Sequence, residues 1–91
     1  MNIQWLFEII EDRKNNPTEK SYTSSLFREG LPKIAQKVGE EGTEVVVAAL
    51  AQDDQRLIEE VADLTFHTLV LLSARGLSPA YIAAELEKRH K

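Results

Sequence analysis

LPKIAQKVGEEGTEVVVAALAQDDQRLIEEVADLTFHTLVLLSARG, residues 31–76, is the stretch on which the fold turns. Its apolar residues recur at intervals of three and four, the spacing of a helix face, and never alternate as a strand would. Ile34, Val38, Val45 and Ala49 are expected to face inward along a first long helix from Pro32 to Gln52. Asp53-Asp54 punctuates the pattern, and a second long helix follows from Gln55 to Arg75, closed by Gly76. So short a turn folds the two helices into an antiparallel hairpin. Gly39 and Gly42 each cost roughly 1 kcal/mol relative to Ala in a helix, so another backbone or a ligand is expected to approach there. From Val61 to Ala74 the second helix carries Leu64, Phe66, Leu69, Val70, Leu71 and Leu72 around most of its circumference. A helix apolar on all sides must be covered on all sides. A homodimer with twofold symmetry is the expected cover; the alternative is that the first and last helices of one chain suffice.

Outward from the hairpin the helical spacing continues. Ile3, Leu6, Phe7 and Ile10 form one stripe of a helix that fades near Arg13-Lys14 and stops before Asn15-Asn16-Pro17. Asn15 to Lys20 is a loop, Ser21 to Ser25 offers N-caps for a short helix with Leu26 and Phe27, and Gly30 closes it. Ser78-Pro79 opens a last helix, an N-cap followed by Pro at the first position, running into the charged tail Glu85 to Lys91. Trp5, Phe7, Phe27 and Phe66 are expected in the core. The fold expected is all-α: a bundle of four to five helices around a central antiparallel hairpin, one domain over residues 1–91, completed as a dimer.

Composition narrows the function. Of 91 residues, 11 Lys+Arg stand against 15 Asp+Glu, a net charge of −4. That balance argues against the broad basic surface that grips nucleic acid or an anionic membrane, so neither is expected as a partner. With no Cys there is no disulfide, thiol nucleophile or zinc-thiolate site. The longest apolar run, Leu69-Val70-Leu71-Leu72, falls far short of the roughly 20 residues a spanning helix needs. Glu8, Glu11 and Asp12 interrupt the N-terminal apolar positions before a signal-peptide core forms, so a cytoplasmic location is expected.

Two carboxylate pairs stand out, Glu41 with Glu44 and Glu60 with Asp63, each spaced i, i+3 on one helix face and adjoined by Glu40 and Glu59. The turn at Asp53-Asp54 sets Glu44 level with Asp63, roughly 14 Å from the loop at the rise of an α-helix. Val38, Val45, Val46, Val61 and Leu64 flank the pairs, so some carboxylates lie near the interior, where like charges repel unless a cation compensates. Oxygen-only ligands select hard cations, and Mg²⁺ is the usual carboxylate-held partner of phosphates. The bland alternative is two solvated helix faces. Lys37, one turn before Glu41, is either its i, i+4 ion-pair partner or, with Lys33, a phosphate binder. Arg13, Lys14 and Arg28 can complete a local basic rim. His67 shares a face with Glu60 and Asp63; its spacing fits a packed or ion-paired histidine, and its role stays open. Tyr22 lies among hydroxyls in a cap where a phosphate can bind.

These residues carry a specific likeness. Lys37-Val38-Gly39-Glu40-Glu41-Gly42-Thr43-Glu44, then Glu60-Val61-Ala62-Asp63-Leu64 and Phe66-His67-Thr68-Leu69-Val70-Leu71-Leu72, resembles the phosphoribosyl-ATP pyrophosphohydrolases of histidine biosynthesis. It is also similar to the broader EExxE…ExxD pattern of the MazG-like all-α nucleoside triphosphate pyrophosphohydrolases. Ser21-Tyr22-Thr23, Leu26, Gly30, Lys33 and Arg13 extend the likeness over nearly the whole chain. The resemblance implies a Mg²⁺-dependent homodimeric enzyme that splits phosphoribosyl-ATP into phosphoribosyl-AMP and pyrophosphate, the second step of histidine synthesis. It implies Glu41, Glu44, Glu60 and Asp63 as metal ligands, with Glu40 matching the leading Glu of the pattern; the matched-height pairs and the need for an in-line water make Glu40 or Glu44 the group expected to orient or deprotonate it. Arg13, Ser21, Tyr22, Thr23, Lys33 and Lys37 would bind substrate. Gly42 departs from the alanine often found there. In some relatives this domain is fused to the cyclohydrolase that acts next; here that enzyme is expected to be separate. Two other functions compete: a house-cleaning pyrophosphohydrolase of free nucleoside triphosphates, and a non-catalytic helical dimerisation module.

Overall fold

The structure, a computed structural model, describes residues 1–90, so the expected tail at Lys91 lies outside it. Five helices and no strand make up the described residues. The first, α1 (Ile3–Asn15), starts where the Asn2 side chain accepts the Trp5 N–H at 2.8 Å. In α2 (Tyr22–Glu29) Ser21 does the same for the Ser24 N–H at 3.0 Å. Gly30, at φ 93°, ends α2 and leads into α3 (Leu31–Ala51) with Pro32 in its first turn. Asp53 caps α4 (Asp54–Ala74) by accepting the Arg56 N–H at 2.9 Å. Past its end Gly76 takes φ 72°, and the Gly76 and Leu77 N–H groups donate to the Ser73 and Leu72 carbonyls at 3.0 and 2.8 Å. This left-handed closure favours glycine. Ser78 precedes α5 (Pro79–Arg89) in extended backbone, but its hydroxyl makes no capping bond.

The hairpin of α3 and α4 is the most extensive helix pairing, and α1 and α2 lie across it. Phe7, Ile10, Leu26, Ile34, Leu69 and Val70 form the buried core, with Leu6, Phe27, Phe66, Leu71 and Leu72 packed against it. Side chains advance about 100° per residue around a helix. Trp5 therefore points about 200° away from Phe7 and is 47% exposed, not in the core. Ile3, at the end of the expected stripe, is also exposed. On α3 the inward direction set by Ile34 is shared by Glu41, Val45 and Ala48, and Ala48 is buried where Ala49 was expected. At Gly39 and Gly42 an added Cβ would meet nothing within 4 Å, so neither glycine admits a close neighbour in this chain.

Polar contacts fix α1. Lys14 Nζ donates to the Ser73 carbonyl and pairs with Glu11, both at 2.9 Å, while Ser73 Oγ donates to Glu11. That hydroxyl, helped by Lys14 and opposed by burial, holds the Glu11 carboxyl below its ordinary 4.5. Buried Ser24 donates to the Arg13 carbonyl at 3.0 Å and accepts the Thr18 N–H at 3.2 Å, and Arg28 donates to the Thr18 carbonyl at 3.3 Å. Lys14 and Arg28 thus tie down helix and loop and are not free members of a basic rim. No described helix is long and apolar enough to cross a membrane.

Candidate active site

The two halves of the hairpin bring three carboxylates together. One oxygen each of Glu41, Glu60 and Asp63 lies within 4.8 Å of the others. Glu41 belongs to the inward stripe of α3, and Glu60, 6% exposed, is buried on α4. Asp63 sits at the solvent edge. Glu41 Oε2 and Glu60 Oε2 are buried without a hydrogen-bond partner. A buried, unpartnered carboxylate oxygen is costly unless a cation or donor meets it.

Glu44 joins the group through Glu60 rather than standing level with Asp63. The helices end at Ala51 and restart at Asp54, so the register across the turn differs by about two residues from the expected one. The nearby Glu44 carboxyl pushes the Glu60 carboxyl above its ordinary 4.5, and burial and the Asp63 charge act the same way. Arg56 opposes them. Its guanidinium donates to Glu60 Oε1 at 2.7 Å and to Glu59. Arg56, Glu60, Glu44, Val47 and Gln52 line a cleft of about 180 Å³ beside the carboxylates. Arg56 is absent from the residues picked out by sequence; its signal is the i+3 and i+4 spacing to Glu59 and Glu60, which ordinary surface pairs also show.

Glu40 points elsewhere. It accepts from Gln36 Nε2 at 3.1 Å and pairs with Lys37 at 3.8 Å, so Lys37 takes Glu40 and not Glu41 as its partner. Lys33, one turn earlier, is half-buried with no ion pair among the described residues. Arg13 pairs with its neighbour Asp12 at 2.6 Å. Ser21 is occupied as a cap, and Thr23 is half-buried beside it. Neither these two nor Arg13 or Lys33 touches the carboxylates by a hydrogen bond or ion pair among the described residues.

Tyr22 does reach the group, through His67. The Tyr22 hydroxyl lies 3.0 Å from His67 Nε2, and His67 Nδ1 lies 2.9 Å from the Asp63 carbonyl and 3.8 Å from Glu41 Oε1. The Tyr22 ring also stacks on Phe66 at 6.3 Å. His67 is 6% exposed, so the spacing-based expectation of a packed histidine holds, with the carboxylates as its neighbours.

A family model described as phosphoribosyl-ATP pyrophosphohydrolase matches residues 4–90. A phosphoribosyl-ATP pyrophosphatase of Clostridium botulinum is 51% identical over 89 residues, covering 98% of this chain and 81% of that protein. One from Lacticaseibacillus casei is 52% identical over 88 residues, covering 97% and 80%. One from Leptospira biflexa is 48% identical over 85 residues, covering 93% and 92%. With matches that run from the first helix to the last and span both carboxylate pairs, the chain belongs to the phosphoribosyl-ATP pyrophosphohydrolase family.

Proposed function

We propose that this chain, as a single domain, hydrolyses the α–β phosphoanhydride of phosphoribosyl-ATP, giving phosphoribosyl-AMP and pyrophosphate, the second step of histidine synthesis. The observation that carries this is the meeting of Glu41, Glu60 and Asp63 across the hairpin, with two buried carboxylate oxygens left unpartnered. An all-oxygen, anionic donor set fits Mg²⁺, held by Glu41, Glu60 and Asp63 with Glu44 beside them. When bound, Mg²⁺ supplies charge neutralisation on the phosphate oxygens from which pyrophosphate departs.

The chain's own groups do the rest. Glu44, exposed at the edge of the group, accepts a proton from the water that attacks phosphorus as the bond to pyrophosphate breaks. Glu40, drawn aside by Gln36 and Lys37, is the weaker candidate for that task. Lys37 and Lys33 face the phosphates from one side of α3. Arg13 and the start of α2, with Ser21, Tyr22 and Thr23, hold the remainder of the substrate.

We assign this enzyme a homodimeric, cytoplasmic existence, with a separate cyclohydrolase consuming its product and neither nucleic acid nor membrane as partner. One chain leaves a groove of about 470 Å³ open between α1, α4 and α5, lined by Ile3, Leu64, Leu69, Leu72, Ile82 and Leu86. Its radius of gyration is 14.2 Å, against about 12 Å for a compact chain of this length. A second copy covering α4 supplies the missing packing.

Pyrophosphate release from phosphoribosyl-ATP, with and without Mg²⁺, tests the assignment. Turnover that needs Mg²⁺ and exceeds that of ATP and dUTP is expected. Equal turnover of the plain triphosphates marks a general pyrophosphohydrolase, and none with any of the three overturns catalysis.

A further inference from the structure

We infer that His67 is a positioning residue: its Nε2 accepts the hydrogen bond of the Tyr22 hydroxyl, so that Tyr22 meets the substrate as an acceptor, fitted to a ribose hydroxyl and not to a phosphate. This rests on phosphoribosyl-ATP being the substrate, as proposed above.

Hydrogen-bond chemistry leads there from the two ring nitrogens. Nδ1 of His67 lies 2.9 Å from the backbone carbonyl of Asp63, which can only accept, so Nδ1 carries a hydrogen. In the neutral ring Nε2 is then an acceptor, and its partner at 3.0 Å is the Tyr22 hydroxyl, which must donate. A phenol has one proton. With it turned inward, Tyr22 has only lone pairs to offer outward, and phosphate oxygens, being acceptors themselves, have nothing to donate to them. A sugar hydroxyl does.

The surroundings hold this arrangement in place. His67 is buried and packs edge-on against Phe66 at 5.2 Å between ring centres, while the Tyr22 ring lies on the same Phe66. Tyr22 itself is 52% exposed, so its outer face is open to a ligand. His67 links it to Glu41, with Nε2 3.0 Å from the phenol oxygen and Nδ1 3.8 Å from Glu41 Oε1. The expectation that Tyr22 binds phosphate is thereby replaced by a sugar contact next to the acidic centre.

Two measurements test the proposal. The chain has only two histidines, so long-range proton–nitrogen NMR of the His90→Gln protein at pH 8 reports His67 alone. A protonated Nδ1 with a bare Nε2 is expected; a protonated Nε2 overturns the proposal whatever the substrate. In kinetics at saturating Mg²⁺, Tyr22→Phe keeps the stack on Phe66 and is expected to raise KM for phosphoribosyl-ATP about fivefold to tenfold, one lost hydrogen bond, with kcat within twofold. Inhibition by inorganic pyrophosphate should not change; weakened inhibition would assign Tyr22 to phosphates and overturn the sugar contact. His67→Asn keeps an N–H donor for the Asp63 carbonyl, but its one acceptor, Oδ1, does not reach the Nε2 position that meets Tyr22. It is expected to raise KM in the native background and to change it less than twofold alongside Tyr22→Phe. Equal effects in both backgrounds, or a fall in kcat alone, overturn the positioning role. If wild-type protein does not turn over phosphoribosyl-ATP, the substrate assignment fails and the sugar contact with it, while the NMR result still decides the direction of the Tyr22–His67 bond.

Discussion

Glu60 is where folding and metal binding meet most directly. Its carboxylate is buried close to Glu41 and Asp63, one oxygen is held by Arg56 at 2.7 Å, and the other is unpartnered. Without a cation this crowding of like charges works against the folded state; with one it becomes a source of stability. A ligand that binds only the folded chain stabilises it by about 2.7 kcal/mol at one hundred times its Kd. For a domain of this size, that moves the melting temperature by on the order of 10 °C. Thermal unfolding followed by circular dichroism, with MgCl₂ titrated against NaCl of equal ionic strength, measures the shift. Glu60→Gln should behave oppositely in its two states. Removing one of the crowded charges leaves the metal-free protein as stable as wild type or more so, while the Mg²⁺-dependent shift disappears. Two results would refute the reasoning: no Mg²⁺ shift in the wild-type protein, or the full shift retained by Glu60→Gln.

Three further outcomes are expected. Glu44→Gln, at saturating Mg²⁺ and with the fold verified, should lower kcat by about 10²- to 10⁴-fold, the range for a lost proton acceptor, and near wild-type turnover would remove Glu44 from that role. Ser73→Ala deletes the hydroxyl that bonds Glu11 and should cost about 1 kcal/mol in urea unfolding at pH 7, discounted for the partial exposure of Glu11. Because the folded Glu11 carboxyl is held below its ordinary 4.5, the bond's contribution is present above that pH and lost as pH falls through the lowered value. The gap between variant and wild type should therefore narrow in acid; a constant gap down to pH 2 would place the effect elsewhere. Ile82→Glu puts a charge in the groove that α5 shares with α4 and should give the mass of one chain by light scattering, whereas an unchanged dimer would show that the copies meet on another face.

Much of the fold was legible because its signals are local. Capping side chains at Ser21 and Asp53, the positive-φ glycines 30 and 76, and prolines 32 and 79 mark helix ends within a residue or two of those expected from spacing. The errors have a geometric cause. Trp5 is expected in the core from its helical spacing, yet its angle about α1 carries it away from Phe7 and Ile10. Lys37 has Glu40 and Glu41 both within one turn, and only rotamer geometry decides that it pairs with Glu40. Glu44 faces Glu60 rather than Asp63 because the register of a hairpin depends on how its turn closes. Arg56 escaped notice because an i, i+4 pair is commonplace in sequence and gains weight only when its partner is buried.

The sequence by itself determined the helices, the hairpin and the two acidic pairs, since periodicity and capping act over a few residues and each pair is fixed by its spacing on one helix. Only tertiary structure decided which carboxylates meet, which of their oxygens are left without partners, and how Tyr22 is tied through His67 to Asp63. Those contacts join residues up to 45 positions apart, and their geometry depends on helix register, rotation and rotamer together.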